Sequence, residues 1–242
     1  RNQMRLPETV EENLTHLKAW QKVFSGDGFF YDYPLGRAHY GDLGYMKIAR
    51  VIYDDIHALK TFGVNGYMSC QELRAMSPTG FPDYVMAQAL TDEGIPFETL
   101  RDTYFSAMFG PGWEEAVAFL ERLSALSDTD YWNNHGPRFQ PALADRYRHI
   151  TLLAEEFRTR IPLAQKEVWW KNGEYLDFHC RYTMLLAGAL ERLSMGDQEE
   201  ADRRFENFCD FIRREEPQRQ SRLDVYRVIE VATKYTGFSM PR

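Results

Sequence analysis

Cysteine is scarce in this chain. Its 242 residues hold three, Cys70, Cys180 and Cys209. That is too few and too scattered for a disulfide framework, and none forms a C-x-x-C pair of the zinc or thiol–redox kind. Each is expected to be a small buried hydrophobe. Basic charge is also short. The net charge is −7, and a phosphate backbone needs a basic face, so nucleic acid is not an expected partner. Long apolar runs are missing. None approaches the roughly 20 residues that span a bilayer, so no membrane-embedded segment is expected. There is no internal repeat, no glycine-rich phosphate loop and no nucleophile elbow. No cofactor is expected. No metal is expected either: His135, His149 and His179 lack ligand spacing. Asp128, Asp130, Asn133 and Asn134 lack the EF-hand spacing and its glycine. His179 lies in an apolar helical run and is expected to be a hydrogen-bonded core histidine. The chain opens Arg1-Asn2-Gln3, with no Met and no signal-peptide core. The expectation is a segment of a longer polypeptide.

What is present is helix-forming periodicity interrupted twice by short β-prone runs. Val10, Leu14, Leu17 and Trp20 recur at helical spacing after Pro7. Phe29–Tyr33 is short, aromatic and closed by Pro34, as a strand would be. Met46, Ala49, Ile52, Ile56 and Leu59 mark a second helix, ending near Gly63. Val64–Cys70 reads as a second strand. Helix, strand, helix, strand is the alternation of a parallel α/β sheet.

After residue 76 the alternation stops. Helices are predicted over Phe81–Glu93, Phe97–Phe109 and Trp113–Leu126, with a loop over 127–139. A clean amphipathic helix follows through Leu143, Tyr147, Ile150, Phe157 and Ile161. A mostly apolar one runs from about Glu174 to Met195 and is expected to be central. Asp197 with Glu200 reads as a capping box, and Asp224 as the cap of a last helix.

Two strands alone do not make a stable parallel sheet, which needs several neighbours and cover on both faces. The remaining strands are therefore expected from an upstream segment or from another chain.

The densest chemistry sits at the two strand ends. The first carries Tyr31, Asp32 and Tyr33, with Arg37, His39 and Tyr40 behind it; the second carries Tyr67, Gln71 and Glu72. An ionised carboxylate accepts several hydrogen bonds and can hold sugar hydroxyls. Aromatic faces beside it suit the C–H face of a pyranose. A structural role is the competing reading, with Asp32 capping a turn or pairing with Arg37, and Glu72 opening the next helix.

Three stretches carry a resemblance: FFYDYPLGRAHYGDLG, DDIHALKTFGVNGYMSCQ and TYFSAMFGPGWEEAVAFLERL. Together they resemble a bacterial domain family of formerly unknown function, similar to glycoside hydrolase family 163, endo-acting β-N-acetylglucosaminidases. DFHCRYTMLLAGALERLSMGDQEEADRRFENF resembles that family's helical tail. Tyr31-Asp32-Tyr33 and Tyr67…Glu72 are also distantly similar to strand ends of family 20 hexosaminidases that face the bound sugar. The resemblance implies the last units of a (β/α)₈ barrel in residues 1–76, completed by an upstream barrel segment or another chain. It implies an all-helical domain in residues 77–242. It further implies a glycan substrate that contains N-acetylglucosamine, catalytic carboxylates upstream of this chain, and a secreted or periplasmic setting. Tyr31, Asp32, Tyr33, Arg37, His39, Tyr67, Gln71 and Glu72 are the expected substrate contacts. The alternative is a non-catalytic carbohydrate-binding or interaction module.

Overall fold

The computed structural model describes residues 7–70, 74–161 and 167–240. Helix α1 (Val10–Gln21) leads into strand β1 (Phe29–Asp32). A 3-10 turn (Ala38–Gly41), helix α2 (Met46–Thr61) and strand β2 (Gly66–Ser69) follow. Then come helices only: α3 (Phe81–Thr91), α4 (Phe97–Phe109), α5 (Trp113–Leu126), α6 (Thr129–Trp132), α7 (Pro141–Arg158), α8 (Glu167–Ser194), α9 (Gln198–Arg219) and α10 (Val225–Val231). A π turn over Ala232–Thr236 extends α10.

The barrel expectation is corrected by this architecture. Among the described residues the sheet has two strands, β1 and β2, paired in parallel with Phe29 opposite Gly66 and Asp32 opposite Ser69. The fold is helical, with one small parallel β–α–β unit. The alternation in the sequence is local and real, but it reports neighbouring elements and not the number of strands in a sheet. The barrel was implied by the family resemblance, and the two-stranded sheet does not support it.

The core is a helical pack. α8 lies against both α7 and α9. Its Leu186 and Leu190 join Ile150 and Phe157 of α7 and Phe205, Phe208 and Ile212 of α9 in one buried cluster. Phe119 of α5 stacks on Phe157 at 4.0 Å, nearly parallel. A smaller cluster unites Leu35, Ile52, Ile56, Ala75, Met86 and Ala89, and so ties α2 to α3. Several ends follow the expected signals. Asp197 accepts from the Glu200 N–H at 3.3 Å, and Asp224 accepts from the Arg227 N–H at 3.1 Å. The Glu200 carboxylate does not complete a box; it binds Arg203 and Arg204 instead.

Other expectations are corrected. Residues 127–139 are not all loop: Asp128 caps α6, which buries Tyr131 and Trp132. α8 starts well before Glu174, at Glu167. Cys180 and Cys209 are buried, but Cys70 is exposed. The apolar stripe of α1 leaves no residue of that helix buried.

One polar knot joins the sheet unit to the helical pack. Asp42 is 1 % exposed. It accepts from the Ser124 hydroxyl at 2.5 Å, the Ile48 N–H at 2.8 Å and the Gly44 N–H at 3.3 Å. Burial raises its carboxyl pKa, against the pull of those donors. The Leu43 carbonyl binds His179 Nε2 at 2.6 Å, and Thr183 lies beside that ring. His179 is thus the hydrogen-bonded core histidine expected from its helix.

Candidate functional site

Strand geometry sorts the β1 side chains. Alternation sends Phe30 and Asp32 to one face and Phe29 and Tyr31 to the other. Parallel pairing places Tyr67 and Ser69 on the Phe30 face and Met68 on the Phe29 face. The Phe30 face looks toward the helices, and Tyr67 packs there on the small cluster of α2 and α3. The other face is bare. Phe29, Tyr31, Tyr33 and Met68 are all exposed.

Four of the expected site residues meet at the strand ends. The Tyr31 and Tyr33 rings stand edge to face, 5.0 Å apart. Asp32 lies between them in sequence. Its Oδ1 accepts from the Tyr33 N–H at 2.7 Å, and its Oδ2 accepts from the Tyr67 hydroxyl at 3.1 Å. The Asp32 carbonyl accepts from the Cys70 N–H at 2.9 Å, which holds the two strand ends together. Burial first, then the Asp32 charge, pushes the Tyr67 hydroxyl well above its ordinary pKa. The Tyr31 hydroxyl is also pushed up, chiefly by hydrogen bonding to Tyr33 and Cys70. Tyr67 therefore stays protonated and donates to Asp32.

Two expected contacts lie elsewhere. Arg37 turns away from Asp32, and its guanidinium sits 4.2 Å from the Tyr235 ring centre. His39 is 0 % exposed, packed between Tyr40 and Tyr45, and cannot touch a ligand at the surface. The polar composition of residues 35–42 reads as an open loop, but the 3-10 turn folds that segment inward. Gln71 and Glu72 lie outside the described residues. Phe29 and Met68 were not singled out from the sequence, yet they extend the bare aromatic face. The period-two pattern that exposes Tyr31 was the available signal for Phe29.

Asp32 is an acceptor in this arrangement. Each carboxylate oxygen already takes one hydrogen bond, and a carboxylate has about four acceptor positions, so room remains for ligand hydroxyls. The exposed Tyr31 and Tyr33 rings offer flat apolar area on the opposite face of the same strand end. Such a surface can hold a polyhydroxylated ring. A glycosidic bond is cleaved by two carboxyl groups, and Asp32 alone supplies one. Among the described residues no group of three or more His, Cys, Asp or Glu side chains could hold a metal ion. No helix among them is long and apolar enough to cross a membrane.

Comparison of the chain with protein-family models, with curated proteins and with solved structures returns no match.

Proposed function

We propose that this chain is a glycan-binding part of a glycoside hydrolase acting on N-acetylglucosamine-containing or related glycans. It supplies one wall of the substrate site and the helical mass that supports it. The observation that carries this reading is the exposed Tyr31–Tyr33 pair at a strand end whose other face carries Asp32, a carboxylate with free acceptor positions. The family resemblance of the strand-end stretches adds the sugar class. A second reading is a binding module with no part in catalysis. It is favoured by Asp32, whose two oxygens are both engaged as acceptors rather than poised to deliver a proton.

The test is a calorimetric or NMR titration with N,N′-diacetylchitobiose. Weak saturable binding is expected, with a Kd of about 1 mM. Tyr31→Ala and Tyr33→Ala should each weaken it by about 10-fold, worth about 1.4 kcal/mol, without changing the melting temperature. Both rings are about half exposed, so the fold does not depend on them. Absence of binding at about 10 mM sugar, or binding indifferent to both substitutions, would sink the proposal. Hydrolysis of the sugar that is lost in Asp32→Asn would decide against the purely non-catalytic reading.

A further inference from the structure

The face of the sheet opposite the tyrosines is roofed by α1, but the roof does not close. Leu14 and Leu17 of α1 remain only half-buried. Between α1, the two strands and α2 lies a cleft of about 380 Å³. Leu14, Leu17, Phe30, Phe62 and Tyr67 form its apolar walls, and Asn13 and Asp55 are its polar side chains. At about 30 Å³ per water-sized group, the cleft accepts roughly a dozen non-hydrogen atoms. It lies at the small end of the range for ligand pockets.

Asp55 gives the cleft a charged group. It lines the cleft, stays open to solvent, and has no hydrogen-bond or ion-pair partner among the described residues, whereas its neighbour Asp54 lies within 4.0 Å of Arg50. Asp32 and Asp54 add negative charge around it, and its carboxyl pKa is raised, first by burial and then by those charges. A neutral occupant would desolvate Asp55 further with no compensation. An anionic occupant would meet the Asp55 carboxylate, with the Asp32 and Asp54 charges adding to the repulsion. A cation would pair with Asp55, in a cleft whose other walls include the aromatic side chains Phe30, Phe62 and Tyr67.

We propose that this cleft binds a small amphipathic cation, an apolar body of aromatic or alkyl type with an ammonium head seated against Asp55. The cleft lies on the face of the sheet opposite Tyr31 and Tyr33, shares Tyr67 with the strand-end cluster, and its occupancy does not depend on the glycan reading.

The experiment is a titration of the whole chain with three molecules of one shape: 4-phenylbutylammonium, 4-phenylbutanol and 4-phenylbutanoate. The ammonium should bind saturably with a submillimolar Kd, the alcohol at least about 10-fold more weakly, and the carboxylate more weakly still. NMR shifts should concentrate at Leu14, Phe30 and Tyr67. Asp55→Asn should bring the ammonium down to the affinity of the alcohol and leave the alcohol unchanged. Leu17→Trp, on a helix with no buried residue, should fill the cleft and abolish binding of both while the melting temperature holds. Equal affinity for the three molecules, no saturable ammonium binding, or a preference for ammonium that survives Asp55→Asn would each overturn the assignment.

Discussion

His39 should make this protein acid-sensitive. Its ring is 0 % exposed, and neither ring nitrogen has a hydrogen-bond partner among the described residues. Burial first, and the nearby Arg227 charge second, lower its pKa from 6.5 to about 3. The folded value thus lies below the unfolded one. Between the two, the unfolded chain binds the extra proton, so stability is complete above about pH 6.5 and falls as acid is added. The slope approaches about 1.4 kcal/mol per pH unit, and the loss at pH 4 comes to about 3 kcal/mol. That is a large share of the roughly 5–15 kcal/mol that holds a typical domain.

His39→Phe keeps a ring of similar size and removes the titrating group. The measurement is urea unfolding of wild type and variant at pH 8 and pH 4, followed by circular dichroism. At pH 8 the variant should equal or exceed wild type, because two unsatisfied nitrogens are gone. At pH 4 its advantage should grow by about 3 kcal/mol. His179, lowered to about 4 by burial against the pull of its Leu43 hydrogen bond, adds a similar acid loss to both proteins and cancels in the comparison. If wild type and variant lose the same stability between the two pH values, within about 0.5 kcal/mol, His39 is not a buried neutral imidazole and the reasoning fails.

Substitutions at two further positions probe how the sheet unit is fastened to the helical pack. A Cβ on Gly44 would lie 1.8 Å from the Leu120 carbonyl oxygen and 2.5 Å from the Ser124 hydroxyl. Gly44→Ala should therefore cost about 3 kcal/mol or more, since the first obstacle is backbone, and an unchanged thermal midpoint would contradict this close approach. Asp224 both caps α10 and binds Arg74 at 2.5 Å. Asp224→Ala should cost about 1–2 kcal/mol in chemical denaturation, and Asp224→Asn, which keeps the cap, clearly less; equal losses would mean that the cap contributes nothing.

The sequence by itself determined most of the local structure. The helices Phe97–Phe109 and Trp113–Leu126 follow from their apolar spacing and their flanking Pro and Gly residues. Asp197 and Asp224 were legible as caps, because a cap is a contact between residues three apart. The alternation in Phe29–Tyr33 put Tyr31 and Asp32 on opposite faces, whereas the register that sets Asp32 opposite Ser69 and within reach of the Tyr67 hydroxyl came from strand pairing.

Tertiary structure decided the rest. The stripe Val10, Leu14, Leu17, Trp20 marks the apolar side of α1, yet α1 buries no residue and borders a cleft, because periodicity says which side is apolar and not what fills the space beneath it. His39 and Arg37 stand in one polar stretch. One is buried between Tyr40 and Tyr45, and the other stacks on Tyr235 from far along the chain. Gly44 is obligatory only because the Leu120 carbonyl approaches it. The number of strands likewise depends on what packs beside them, and spacing along the chain cannot carry that information. Pattern within about four residues fixes which elements form and which way their side chains point. Which of those side chains meet a ligand is set by contacts between elements distant in sequence.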